Sequence, residues 1–301
     1  MVEYVGKVKV NLDFYSGNDL YCDGEIEDEF LDIVKKDLDI IEVLANDNRW
    51  PILYHFTPQR RNLLEWYPFE KDASILEIGA GCGALTGLFC EKSDKVIAIE
   101  LSKKRAEIIA NRYKDKSNLE IIVGNIADIK LQQKFDYITL IGVLEYAGKY
   151  ITASNPFLDF LTQLKRYLKP GGCIIIAIEN KFGLKYWAGS REDHTGLLFE
   201  NLENYNNCDD IITFSKDELS DLINNAGMSK LEFYYPMPDY KIPMQIFSDY
   251  YLPKIGQLKG YFPNYDQGRL KLFNERLVYD NIIINNKLDF FANSFLVFCS
   301  E

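Results

Sequence analysis

At 301 residues the chain is long enough for about two domains, or for one decorated α/β domain. Its composition (47% hydrophobic, 26% charged) is globular and excludes a disordered or fibrous chain, while 45 acidic against 34 basic side chains give a formal charge of −11. That field makes nucleic acid and anionic membrane surfaces poor partners, and no apolar run reaches the ~18 residues that span a bilayer.

The opening residues Met1–Lys7 have neither the charge nor the apolar stretch of a signal peptide. Six cysteines (Cys22, Cys82, Cys90, Cys173, Cys208, Cys299) lie far apart and only two histidines occur, so a reduced, cytoplasmic protein without a metal site is expected. Between Asn11 and Trp50 twelve acidic residues face three basic ones, and Ile26, Phe30, Ile33, Val34, Leu38 and Ile41 recur at helical spacing. The segment reads as a helical N-terminal cap over residues 1–68 with a solvated acidic face, its last part a helix over about Gln59–Trp66.

After Pro68 short β-branched runs alternate with helical stretches. Strands are expected at Ser74–Ile78, Lys95–Ile99, Leu119–Val123, Tyr137–Ile141, Cys173–Ile178, Lys230–Tyr235 and Ser294–Cys299. Helices are expected at Ala84–Glu91, Lys103–Tyr113, Pro156–Leu168 with its Lys169-Pro170-Gly171-Gly172 stop, and Lys216–Asn225. Crossovers of this length imply a doubly wound α/β fold, Rossmann-like and seven-stranded, with a mainly parallel sheet and the last strand antiparallel. The core then covers 69–301, with insertions at about 180–215 and 236–293 acting as a substrate cap.

The chemistry concentrates at Glu77-x-Gly79-x-Gly81-x-Gly83, where a strand runs through alternate glycines into a helix. Such a loop brings backbone N–H groups close to a ligand. Gly79-x-Gly81-x-x-Ala84 also satisfies a dinucleotide fingerprint, which keeps an NAD-dependent oxidoreductase open as a rival. Two carboxylates favour another ligand. Glu77, near the end of a buried strand, needs a cation such as a ligand amine, where a pyrophosphate would be repelled. Glu100, about 20 residues on at a strand tip, suits the two hydroxyls of an adenosine ribose. A nucleoside bearing an amino acid meets both needs, and S-adenosylmethionine is such a molecule. Asn125 and Ile126 end the third strand beside the expected adenine, and Gly142 ends the fourth beside the methionine arm.

With these motifs, Glu100 and Leu168–Gly172, the chain resembles the class I S-adenosylmethionine-dependent methyltransferases over about residues 70–235 and the last strand. Asn125 departs from the aspartate usual there, but its carbonyl can still accept from the adenine amino group. The resemblance implies cofactor contacts from Tyr54, Arg60, Glu77, Gly79, Ala80, Gly81, Glu100, Leu101, Asn125, Ile126 and Gly142. Further segments (Asp19–Glu29, Tyr54–Arg60, Glu179–Gly189, Glu192–Gly196 and Tyr234–Lys241) are similar to bacterial methyltransferases that accompany glycosyltransferases of surface polysaccharide assembly. That likeness implies a glycan context and a glycosyltransferase partner; a non-catalytic cofactor-binding module serving that partner is the rival from another class.

The expected reaction is methyl transfer to a hydroxyl of a small molecule or glycan, which needs a proton acceptor. His194, beyond the fifth strand, leads the candidates, followed by Glu179, Glu145 and Asp193, with Glu192 or Asp193 orienting the ring. Asn180, Tyr186, Trp187 and Tyr240 are the expected substrate contacts. His55 reads as structural packing.

Overall fold

All seven expected strands form, and three more join them. In the computed structural model, which describes residues 1–19, 21–206, 210–258 and 268–301, ten strands are present. Cys208 and parts of both insertions lie outside the described residues. The chain divides into two units, Met1–Leu140 with Arg166–Ile174, and Ile141–Lys165 with Ile175–Glu301.

The first unit holds β1 (Val2–Val5), β2 (Val8–Phe14), β3 (Ser74–Ile78), β4 (Lys95–Glu100), β5 (Leu119–Gly124) and β6 (Phe135–Ile141), in the spatial order β1-β2-β5-β4-β3-β6. Strands β3 to β6 pair in parallel, with Ile75 opposite Val96 on one side and Tyr137 on the other. Successive residues such as Ile75, Leu76, Val96, Ile97 and Ala98 are all buried, the signature of a sheet covered on both faces. Chain order runs outward from β3 through β4 to β5, then jumps across β3 to β6. The carboxyl end of β3 is therefore the switch point at which open α/β sheets bind ligands.

The extra strands correct the reading of the N-terminus as wholly helical. Val8 and Val10 alternate inward along β2, which pairs in parallel with β5. Gly6 makes the hairpin turn at φ 58°, and a side chain there would run into the Lys114 backbone. The acidic helix is Ile26–Lys35, with Phe30, Ile33 and Val34 buried. It stops before Asp37, which takes φ 54°, so Leu38 and Ile41 fall off the apolar face and are 46% and 75% exposed. Pro58 holds Thr57 extended, so the helix there is Trp50–Phe56, followed by a 3-10 turn over Pro58–Leu63 instead of the expected helix to Trp66.

Strand β7 (Leu168–Glu179) starts in the first unit and ends in the second. Lys169–Gly172 thus opens a strand, and the preceding helix has already ended at Lys165. In the second unit the order is β7-β10-β8-β9, where β8 is Lys230–Met237, β9 Gln245–Ser248 and β10 Ser294–Ser300. Last strand β10 runs antiparallel to β8, with Leu296 opposite Tyr234. Helix Lys216–Asn225 starts on a capping box of Ser215 and Glu218. The insertions form short helices at Leu184–Trp187, Glu275–Ile284 and Leu288–Phe291. Among the described residues no helix is long and apolar enough to cross a membrane.

Candidate functional site

At the end of β3 the Ile99 carbonyl accepts from both Gly79 N–H (2.9 Å) and Ala80 N–H (3.1 Å), pulling the glycine loop against β4. Gly79, Gly81 and Gly83 all take positive φ (66°, 57° and 80°), which only glycine adopts without strain. Gly83 lies against the ring of Tyr113, whereas a Cβ on Gly81 would meet nothing within 4 Å. The loop is thus closed on one side and open at its centre.

Two carboxylates flank it. Glu77 is buried, and its Oε2 accepts from Thr86 Oγ1 at 2.6 Å. Burial pushes its pKa up to about 8, which the Thr86 hydroxyl only partly offsets, and among the described residues no basic side chain pairs with it. Glu100 is buried too; Oε2 accepts from Gly81 N–H (2.8 Å) and Oε1 from Ser102 N–H (3.0 Å). Burial raises its pKa as well, opposed by Arg105 and these N–H groups. Each oxygen keeps a lone pair for a ligand hydroxyl. Nearby, Asn125 is half-buried with its Oδ1 accepting from Ala127 N–H, Ile126 is buried and Leu101 is half-buried. A ligand with a cationic end and a ribose fits this set.

The N-terminal segment packs on the same loop. Phe30, Ile33, Val34, Ile52 and Phe56 cluster with Cys82 of the loop and Ile108 of helix Lys103–Arg112. Ion pairs pin it there: Arg105 meets Glu27 at 2.7 Å and Asp23 at 2.9 Å, and Asp23 meets His55 Nε2 at 2.7 Å. His55 is therefore structural, as its sequence setting implied. Glu27 is buried and not part of a solvated acidic face, and Asp23, though still exposed, is ion-paired; composition alone gave no hint of their shared partner Arg105. The Arg60 guanidinium lies over the Tyr54 ring, 4.2 Å from its centre.

The second unit gathers a denser cluster. Glu192 accepts from the backbone N–H of His194 (2.8 Å) and of Thr195 (2.6 Å) and from His194 Nδ1 (2.9 Å), so the turn that makes this segment also orients the ring. His194 Nε2 then faces Glu145 Oε1 at 3.7 Å. Burial works against a charged ring, but Glu145 and Glu192 outweigh it and hold the His194 pKa well above its ordinary value. Glu179, at the tip of β7, takes Lys241 Nζ and Tyr240 Oη (3.2 Å) on Oε1. Oε2 of Glu145 and Oε2 of Glu179 are buried with no hydrogen-bond partner. One ligand atom each from Glu145, Glu179 and His194 lie within 4.8 Å of one another.

Other expected residues are employed differently. Asp193 turns away from the ring to Lys185 (2.8 Å), Lys241 (2.8 Å) and Tyr186 Oη (2.6 Å). Despite burial the two lysines hold its pKa well below the carboxylate range, which makes it a poor proton acceptor. Asn180 is buried and ties the insertion together, donating to the Phe290 and Ala292 carbonyls at 2.7 Å and accepting from Phe182 N–H. Tyr186 and Trp187 do not form a pocket wall together, because neighbours on a helix point apart: Tyr186 is fully buried and Trp187 is 42% exposed. Gly142, at φ 69°, makes room for Tyr240 Oη, which a Cβ would crowd at 2.7 Å. Lys185 and Lys241, which complete the cluster with Asp239, were not singled out by spacing, since they come from two insertions.

Residues 76–174 match the family model described as a methyltransferase domain. Over 197 residues the chain is 29% identical to the ribosomal RNA small subunit methyltransferase A of Mycoplasma mycoides, covering 64% of this chain and 66% of that one. It is 27% identical over 111 residues to the malonyl-[acyl-carrier protein] O-methyltransferase of Priestia megaterium (36% and 38% covered). The chain spans less than two thirds of the length of these curated relatives. An S-adenosylmethionine-dependent methyltransferase from Thiobacillus denitrificans, solved with S-adenosyl-L-homocysteine, is similar at 18% identity and a TM-score of 0.40, with 60% and 68% covered. Residues 76–174, which hold Glu77, the glycine loop and Glu100, are thus the part of the chain that is similar to a methyltransferase domain.

Proposed function

We propose that this chain transfers the methyl group of S-adenosylmethionine to a hydroxyl of a small molecule or a glycan. The observation that carries the reading is the open glycine loop flanked by Glu77 and Glu100, one carboxylate without a cation and one with free lone pairs beside a turn. The cofactor supplies a methyl group on a positively charged sulfur. Glu77 faces its amine, Glu100 its ribose hydroxyls, and the Tyr54–Arg60 stack its carboxylate, with the N-terminal segment acting as a lid that excludes water.

In the transfer the C–S bond breaks as the C–O bond forms, the sulfonium becomes a thioether, and the hydroxyl loses one proton. Within the Glu145–His194 pair the carboxylates keep the ring protonated, so Glu145, whose pKa burial raises, is the proposed proton acceptor, with His194 oriented by Glu192 against it and Glu179 and Tyr240 beside it. A net charge of −11 favours such an acceptor over the ribosomal RNA named for the Mycoplasma relative. The resemblance to polysaccharide-assembly methyltransferases points to a glycan, to a glycosyltransferase partner and to a cytoplasmic setting.

Calorimetric titration tests the reading: S-adenosylmethionine and its demethylated product should bind and NAD should not. Tight NAD binding without sulfonium binding would overturn it. With an acceptor in hand, His194→Ala should lower turnover at least ~100-fold while leaving cofactor affinity unchanged. Binding without any methyl transfer would favour the non-catalytic module.

A further inference from the structure

We propose that Glu145, Glu179 and His194 form a binding site for one divalent first-row transition-metal ion. The three side chains come from separate segments of the second unit: the turn after β6, the tip of β7, and the insertion beyond it. Their ligand atoms converge within 4.8 Å, and an ion bound at ~2.1 Å would draw them in by roughly a further 1–2 Å.

Two features distinguish this group from an ordinary acidic cluster. The first is the pair of orphaned oxygens. Glu145 and Glu179 are 1% and 0% exposed, yet Oε2 of each has no partner. A buried carboxylate oxygen left unbonded is unfavourable, so two of them in one cluster call for a cation. The second is the state of the histidine. Metal-ligating histidines characteristically donate their other ring N–H to a carboxylate, which fixes the tautomer and the ring orientation. Here Nδ1 is engaged by Glu192 at 2.9 Å, and Nε2 is left facing Glu145.

The surroundings supply charge in the same sense. Five carboxylates (Glu145, Glu179, Glu192, Asp193 and Asp239) meet Lys185, Lys241 and the one imidazole. Lys185 is spent on Asp193 and Asp239, and Lys241 on Glu179 Oε1 and Asp193. Neither lysine donates a hydrogen bond to the orphaned oxygens. Two carboxylate oxygens and one imidazole nitrogen suit Mn²⁺, Fe²⁺ or Zn²⁺; Mg²⁺ and Ca²⁺ prefer oxygen alone. Three protein ligands leave coordination positions for the oxygen of a substrate. For the methyl transfer proposed above, on which only this consequence rests, an ion held here would favour ionisation of the acceptor hydroxyl, its proton leaving to water, and the Glu145–His194 pair would act as the acid–base group only in the metal-free protein.

The test uses MnCl₂ and the full chain, stripped of metal by chelation. Electron paramagnetic resonance titration should show one Mn²⁺ bound with a dissociation constant on the order of 100 µM or below. The pulsed spectrum should carry a nitrogen coupling from one imidazole. Glu179→Gln and Glu145→Gln should each weaken binding at least ~tenfold, and His194→Gln should remove the nitrogen coupling. Absence of Mn²⁺ binding below about 1 mM, or binding without nitrogen coupling, overturns the site, and the wild-type spectrum decides this even if a variant fails to fold. Loss of Mn²⁺ binding with S-adenosylmethionine binding intact sinks the metal site alone. The reverse result sinks the methyl-transfer reading and leaves the site standing.

Discussion

The two units solve the problem of burying carboxylates in opposite ways. In the first, Glu77 and Glu100 are held by a hydroxyl and by backbone N–H groups, and both stay above the ordinary carboxylate range. In the second, Asp193 is held by two lysines and falls well below that range. A carboxylate kept without a cation can still take a ligand, an ammonium at Glu77 or hydroxyls at Glu100, whereas Asp193 is already committed to its lysines. The difference separates groups that wait for a partner from groups that have one, and Glu145 and Glu179 in the second unit belong partly with the first kind.

The sharpest way to break that contrast is to take a cation out of the second unit. Lys241→Ala would leave Glu179 and Asp193 buried with fewer charge partners, and losing one side of a buried pair typically costs ~3–5 kcal/mol. Urea unfolding should show a loss of that size. A loss under ~1 kcal/mol would mean that these carboxylates are hydrated or protonated instead.

A smaller effect is expected from Glu100→Ala in the first unit. It removes the proposed ribose contacts and also frees the N–H groups of Gly81 and Ser102. Hydrogen bonds to a charged group are worth ~1.5–3 kcal/mol, so S-adenosylmethionine affinity should fall about ten- to a hundredfold. A change below about twofold would remove Glu100 from the site.

Glu77 makes the comparison depend on pH. Its folded pKa, near 8, is raised above the unfolded value, so the stabilisation it gives the ligand-free protein is complete below about pH 4.5 and is lost as pH rises through 8. A bound ammonium reverses the preference and favours the ionised carboxylate. Affinity for S-adenosylmethionine should therefore climb roughly fivefold between pH 7 and 8, with proton release visible as a buffer-dependent binding enthalpy. Glu77→Gln should flatten both dependences; a variant that keeps them would place the titrating group elsewhere.

The same contrast explains what could be read from the sequence. The first site is local: Glu77 to Gly83 is one strand and one turn, and Glu100 ends the next strand, so spacing alone brings them together. Periodicity also located seven strands, because buried strands are continuous apolar runs. It missed β1 and β9, which are four-residue edge strands, and β2, an interior strand in which Lys9, Asn11 and Asp13 interrupt the apolar run. In the second unit His194 lies 49 positions from Glu145 and 47 from Lys241, and only tertiary packing joins them. Asp193 and Glu192 are equivalent in sequence, yet a tight turn sends one to the lysines and the other to the ring. Glu27 looked like one acid among twelve until Arg105 was placed beside it.

The smallest expected effect is at Asn125, where the sequence departs from the aspartate usual in the family it resembles. In the structure Oδ1 already accepts from Ala127 N–H at 3.0 Å, closing the turn after β5, and a carbonyl oxygen has a second lone pair for the adenine amino group. An aspartate would keep both interactions, since a carboxylate oxygen accepts in the same direction. It would add a negative charge near Glu100, which burial already holds above the ordinary carboxylate range. The stronger charge-assisted bond and the added repulsion oppose each other, so Asn125→Asp should change S-adenosylmethionine affinity by no more than about threefold, under ~0.7 kcal/mol. Asn125→Ala loses the acceptor and the turn together and should weaken binding more than the aspartate does. If the aspartate variant binds tenfold or more differently, in either direction, the side chain meets the ligand through its amide N–H₂ and the adenine is oriented the other way.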